Sequence, residues 1–168
     1  MRRRSTPEVE AAEALALLHA AGATLATAES LTGGRLAAAV TSVPGASASY
    51  LGGFVTYATE LKESLLGVPP ELVEQYGVVS GECARAMATG CREATGASYG
   101  VATTGVAGPD QQEGKPVGTV FVGLSGPAGE TVLSMELLGD RPRIQERACR
   151  EALSALCGIV RGEQPPLG

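Results

Sequence analysis

Residues 27–35, which read T-A-E-S-L-T-G-G-R, constrain the fold of this chain more than any other stretch. An apolar run, 24–28, leads into them, and an Ala-rich run, 36–40, leads out. The segment therefore reads as a strand, a tight glycine turn and a helix. A helix begun this way exposes the backbone N–H groups of its first turn, a setting that suits an oxyanion or a phosphate. Ser30 sits at the rim of that turn, and its hydroxyl has two readings. Either Ser30 or Thr32 caps the helix, or Ser30 is a nucleophile.

At 168 residues with 44% hydrophobic side chains, the chain fits one domain with a sizeable core. No apolar run reaches the length of a membrane span, and Arg2, Arg3 and Arg4 are followed by polar S-T-P-E rather than a signal-peptide core. The expectation is a cytoplasmic protein with no membrane partner. A net charge of −5 opposes a non-specific phosphate-backbone binder, so no direct nucleic-acid contact is expected. Residues 1–5 read instead as a disordered basic tail, 6–162 as the folded domain and 163–168 as a flexible tail.

Cys83 and Cys91 share one expected helix, and Cys149 and Cys157 another. Neither pair has the C-x-x-C spacing of a zinc site, so the four read as buried thiols and no metal is expected. The sole histidine, His19, falls near the C-terminal end of the first helix. Without a second histidine, the base for an activated serine is a lysine, a tyrosine or a carboxylate.

In chain order, Thr6, Pro7 and Glu8 form a helix start, and Gly22 ends that helix, which is expected to cover one sheet face. After the Ser30 turn, residues 50–57 read Y-L-G-G-F-V-T-Y, a strand in which Gly52 and Gly53 imply a bulge or a close backbone approach. Short helices are expected over 59–66 and from Pro70 to about Tyr76, then a longer one capped by Ser80 and closed at Gly96. Residues 99–104 form an apolar strand ending in T-G-V-A-G-P-D, a second Gly-rich turn. Strands over 119–124 and 130–138 pair as a hairpin, and a last helix starts near Asp140. The fold class that follows is α/β: a three-layer α/β/α sandwich with a mixed sheet.

Tyr57 and Lys62 join Ser30 as site candidates, because a strand end and the helix after it bring both to the same sheet edge. The turn from Thr103 to Asp110 offers an anion or ligand cradle, since Gly105 and Gly108 let backbone N–H groups approach a bound group. It is no P-loop, because the glycine spacing is wrong and Pro116 follows Lys115 where Ser or Thr should stand. No G-x-G-x-x-G joins a strand to a helix, so a dinucleotide fold has no support and no cofactor is expected.

With these residues assembled, the chain resembles the CinA C-terminal-domain family, the nicotinamide-nucleotide amidohydrolases. The motifs that carry the resemblance are A-E-S-x-T-G-G from Ala28, V-P-G-A-S from Val43, G-G-F-V-T-Y from Gly52, L-L-G-V from Leu65, G-V-V-S from Gly77, T-G-V-A-G-P-D from Thr104, K-P-V-G-T-V from Lys115 and G-D-R from Gly139. They run in order over nearly the whole length. The chain is read as the stand-alone form, without the additional N-terminal domain of the family's two-domain members.

The resemblance implies deamidation of nicotinamide mononucleotide to nicotinic acid mononucleotide and ammonia, in pyridine-nucleotide salvage, with no metal. It places the nucleophile on Ser30, the lysine on Lys62 and the tyrosine on Tyr57, with Lys62 taking the proton directly or through Tyr57. Backbone N–H groups of Leu31, Thr32, Gly33 and Gly34 would form the oxyanion hole. Thr104, Gly105, Ala107, Gly108 and Asp110 are the candidates for ribose or phosphate contact, and Arg141 for a charge-assisted fork on phosphate. A homo-oligomer, by default a symmetric dimer, is expected. The rival reading is a non-catalytic nucleotide- or partner-binding module tied to competence or damage response. Three departures from the family pattern bear on it: Leu31 in place of cysteine, Ala58 and Thr59 in place of S-N, and Gln111 and Gln112 in place of glycines.

Overall fold

The computed structural model describes residues 5–162. Residues 1–4 of the expected 1–5 tail and the whole of the expected 163–168 tail lie outside the described residues. The elements are α1 Pro7–Ala20, β1 Leu25–Glu29, α2 Arg35–Thr41, β2 Tyr50–Val55, α3 Thr59–Leu66, α4 Pro70–Tyr76, α5 Gly81–Thr95, β3 Tyr99–Gly105, β4 Thr119–Gly126, β5 Gly129–Glu136 and α6 Arg141–Val160. The helix starts expected from the capping residues Thr6 and Ser80 are present: Thr6 Oγ1 accepts from Val9 N–H at 3.3 Å and Ser80 Oγ from Cys83 N–H at 3.1 Å. Asp140, near which the last helix is expected to begin, caps it, with Oδ1 accepting from Arg143 N–H at 3.2 Å.

The sheet order is β2-β1-β3-β4-β5. β1 runs parallel to both β2 and β3, whereas β4 is antiparallel to β3 and to β5, so the sheet is mixed and the expected hairpin is β4–β5. Every residue of β1 is buried. A strand covered on both faces usually reads as a continuous apolar run, but β1 is Leu-Ala-Thr-Ala-Glu and carries Thr27 and Glu29 into the interior. The register of β1 on β2 skips Leu51, which is the irregularity expected beside Gly52 and Gly53.

Alternation along the strands divides the core between two helical layers. Leu25, Val101 and Val122 point to a cluster with Leu18, Leu36, Leu153 and Leu156, contributed by α1, α2 and α6. Ala26, Ala28 and Ala102 point the other way, to Val68, Cys83, Met87 and Cys91 beneath α5. The architecture is therefore the α/β/α sandwich. α1 meets the sheet less directly than expected, packing chiefly on α6 and α2 while Leu15 and Leu18 reach the shared cluster.

The α5 side is built for close approach. A Cβ at Gly90, in the middle of α5, would collide with the Leu66 carbonyl, so the end of α3 rests on α5 only because that position lacks a side chain. α3 carries Lys62, and this contact helps set its depth. All four cysteines are buried as expected, and burial pushes the thiol of Cys83 up to about 11 and that of Cys91 to about 12, which keeps these two protonated. His19 is exposed at the end of α1. Among the described residues no helix is long and apolar enough to cross a membrane.

Candidate functional site

The chain leaves β1 towards β2 on one side and returns to β3 on the other, so the C-terminal ends of these three strands form a switch point of the kind that holds ligands in α/β sheets. The Ser30 turn lies at that point. Ser30 N–H donates to the Thr103 carbonyl at 3.0 Å, and Thr56 N–H donates to the Glu29 carbonyl at 2.9 Å, which brings β2's end alongside.

The turn is secured from below by a carboxylate to which the sequence reading assigned no role. Neither Ser30 nor Thr32 caps α2, whose N-cap is Gly34 with φ 98° and no side-chain cap. Glu29, fully buried, accepts the N–H groups of Leu36 at 2.7 Å and Ala37 at 3.1 Å. It also accepts the Thr32 hydroxyl at 2.7 Å. Thr32 Oγ1 lies 2.8 Å from Thr103 Oγ1, and since the Thr32 proton is already given to Glu29, Thr103 is the donor. Gln145 of α6, also buried, donates to the Leu31 carbonyl at 2.8 Å. With these side chains satisfied inside, the Ser30 hydroxyl is left facing outward.

Lys62 reaches it from α3. Its side chain is only 1% exposed, and Nζ stands 3.0 Å from Ser30 Oγ, 2.7 Å from the Thr56 carbonyl and 3.3 Å from the Tyr57 carbonyl. Among the described residues Lys62 has no salt-bridge partner. Burial holds its pKa below the usual 10.5, and the nearby Cys83, Glu113 and Glu60 only partly oppose that shift. In its neutral form the amine can give its two protons to the two carbonyls and turn its lone pair to Ser30.

Tyr57 stands differently. It is exposed, and its hydroxyl accepts from Arg141 at 3.1 Å, while the other guanidinium nitrogen donates to the Gly108 carbonyl at 2.6 Å. The contact between Tyr57 and Lys62 runs through the tyrosine's backbone carbonyl. Arg141 thus straps the Gly108 turn to Tyr57 at the start of α6.

A cavity of about 150 Å³ joins these groups, lined by Ser30, Leu31, Tyr57, Thr59, Lys62, Val78, Val79, Thr104, Gly105, Val106, Ala107, Gly108, Asp110, Gln112 and Arg141. The candidates from the second Gly-rich turn all belong to it. Thr104 does so with its hydroxyl given to the Val78 carbonyl at 2.7 Å, so its proton is already committed. Of the four residues expected to donate to an oxyanion, Leu31 alone lines the cavity. Gly33 N–H is bonded to the Ser30 carbonyl at 3.0 Å, and neither Thr32 nor Gly34 lines the cavity. Val78 and Val79 were not singled out, although the G-V-V-S stretch was read as part of the family pattern. Among the described residues one group of potential metal donors comes together, Glu10, Glu13 and Cys157, and none of these lines the cavity.

The profile of the CinA C-terminal domain matches residues 8–160. A CinA-like protein of Frankia casuarinae is 54% identical over 148 residues, which are 88% of this chain and 34% of that protein. A putative competence-damage inducible protein of Halalkalibacterium halodurans is 44% identical over 141 residues, 83% of this chain and 34% of its own length. This chain thus spans about a third of the length of those curated relatives. Among solved structures, a CinA superfamily protein of Klebsiella pneumoniae superposes with a TM-score of 0.91 at 33% identity, covering 94% of this chain and 99% of that one. The competence/damage inducible protein of Agrobacterium tumefaciens gives 0.88 at 33% identity, covering 95% and 98%.

Proposed function

This chain belongs to the CinA C-terminal domain family, and from that premise we propose that it is an amidohydrolase that converts nicotinamide mononucleotide and water to nicotinic acid mononucleotide and ammonia. The observation that carries the proposal is the buried lysine amine 3.0 Å from a serine hydroxyl at the rim of a cavity. An alkyl ammonium is an acid at neutral pH, but one stripped of water and lacking a salt-bridge partner releases its proton more readily and becomes a usable base.

Ser30 Oγ attacks the carboxamide carbon while its proton passes to Lys62 Nζ. The tetrahedral oxyanion is held by the Leu31 N–H, a kind of contact whose removal commonly costs about 2.7–4 kcal/mol of barrier. Collapse breaks the C–N bond, and the Lys62 ammonium returns the proton to the departing nitrogen, so ammonia leaves and an ester on Ser30 remains. Water then attacks that ester with Lys62 again as base, releasing the carboxylic acid and restoring the Ser30 hydroxyl. In this scheme Tyr57 carries no proton: its hydroxyl bonds to Arg141, and the two together are suited to hold the substrate's phosphate.

Acid quenching of turnover followed by mass spectrometry of the Ser30 peptide tests the covalent step. A mass increase of one nicotinic acid mononucleotide acyl group on Ser30 is expected. Turnover with no such adduct under any quench, together with activity retained when Ser30 is removed, would contradict it.

A further inference from the structure

The chain that follows the second Gly-rich turn makes a contact that the proposed chemistry does not use. Gln112 and Lys115 pair through reciprocal backbone bonds, Gln112 N–H to Lys115 carbonyl at 3.2 Å and Lys115 N–H to Gln112 carbonyl at 2.8 Å. The two residues between them, Glu113 and Gly114, have φ of 52° and 72°. Two central residues at positive φ make a mirror-image hairpin turn, whose first position favours Asn, Asp or Gly. Glu113 is the one residue other than glycine with positive φ among the described residues. A longer acid is a poor choice for the turn itself, so its reach must be what matters.

That reach ends on the cavity wall. Glu113 accepts the N–H of Val78 at 3.0 Å on one carboxylate oxygen and the N–H of Val79 at 2.6 Å on the other. Lys115 Nζ donates to the Val79 carbonyl and lies 5.8 Å from the centre of the Phe121 ring. Gly77, at φ 76°, leaves the space that the carboxylate fills: a Cβ there would stand 2.5 Å from Glu113 Oε2. Thr104 holds the Val78 carbonyl from the β3 side at 2.7 Å. Three side chains therefore converge on the two valines, and both valines line the cavity with Ser30 and Lys62.

We propose that Glu113 and Lys115 are positioning residues for substrate binding: a hairpin clasp that fixes Val78 and Val79 as a wall of the cavity. The clasp deepens the amide-hydrolase reading and rests on it for the identity of the substrate. The clasp makes no hydrogen bond to Ser30 or Lys62, but the Glu113 charge favours the protonated form of Lys62, so the variants are compared on the alkaline plateau of kcat, where Lys62 is neutral and the clasp acts on KM rather than on kcat.

The test compares wild-type protein with Glu113→Ala, Glu113→Gln and Lys115→Met by two separate readouts, amide hydrogen exchange at Val78 and Val79 and steady-state hydrolysis of nicotinamide mononucleotide. In Glu113→Ala the two amides are expected to exchange about tenfold faster or more, with KM raised about tenfold and kcat within about threefold of wild type. Glu113→Gln keeps one acceptor oxygen and is expected to fall between Ala and wild type. Lys115→Met removes the Val79 carbonyl contact without touching the turn, and is expected to raise KM in the same direction. Unchanged exchange at Val78 and Val79 would overturn the clasp. Faster exchange with wild-type KM would overturn its positioning role and leave a structural one. Wild-type protein without turnover would count against the hydrolase reading alone, and the affinity for nicotinamide mononucleotide by calorimetry would then stand in for KM in the same comparison.

Discussion

Glu29 Oε1 accepts the backbone N–H of Leu36 at 2.7 Å, although the whole Ser30 turn separates the two residues. A helix N-terminus is normally capped by the side chain just before it. Here the cap comes from the end of the preceding strand, so the loop that carries Ser30 is tied at both ends to one buried carboxylate. An anion at a helix N-terminus also meets the positive end of the helix dipole, which favours its burial.

Glu29→Gln keeps the volume and removes one acceptor. The amide must turn an N–H group towards a donor that the carboxylate had accepted, at a cost of about 1–3 kcal/mol for a buried donor left unpaired. The expected outcome is a loss of that order in urea unfolding, together with a fall in kcat at little-changed KM, because the serine is displaced while the binding cavity persists. Wild-type stability in this variant would show that the carboxylate does not hold the turn.

Lys62 sets the pH dependence. If it acts as base when neutral, kcat/KM rises with pH along an acid limb whose apparent pKa lies below 10.5, the ordinary lysine value from which burial lowers it. Lys62→Arg is expected to be inactive, since a guanidinium stays protonated throughout this range. The same shift has a stability consequence of definite sign. Between the lowered native pKa and 10.5 the unfolded chain holds the Lys62 proton and the native protein does not, so stability rises with pH across that window; below it the cost of the buried ammonium is felt in full. Urea unfolding of wild type and Lys62→Met at a series of pH values checks this. The stability of wild type relative to the variant is expected to climb with pH, and a flat difference would mean that Lys62 is not perturbed.

Tyr57→Phe distinguishes the two proton routes. The hydroxyl accepts from Arg141, so its loss should loosen the arginine strap and raise KM by about threefold to tenfold, the effect of one charge-assisted bond at an exposed site, with kcat nearly unchanged. A fall in kcat of about a hundredfold or more would restore the tyrosine as a proton carrier, since that is the range in which general acid–base groups act.

What could be read from the sequence was what depends on near neighbours. Thr6 and Ser80 cap the helices that follow them because their bonds span three residues, and Gly67 and Gly96 end α3 and α5 at left-handed positions. Ser30, Tyr57 and Lys62 were legible through the family pattern and the rule that strand ends meet at a sheet edge; in the structure all three border one cavity. The partners of those residues were less visible. Glu29 looks like an ordinary strand-end acid until the turn folds Leu36 and Ala37 back over it. Gly33 looks like an oxyanion donor in a Gly-rich turn, yet its N–H closes the turn on the Ser30 carbonyl. Val78 and Val79 become cavity wall only because Thr104, Glu113 and Lys115, distant in sequence, converge on them. Strand order likewise depends on which edges remain to be paired, which no single segment encodes.

The most direct test is ammonia release from nicotinamide mononucleotide by the purified protein, in the presence of a chelator, beside Ser30→Ala. The expected result is release by the wild type and none above background from the variant, while the variant still binds the nucleotide. Equal release from both would remove Ser30 as the nucleophile. No release from a folded wild-type protein that binds the nucleotide would contradict the hydrolase account and favour a binding module on the same cavity.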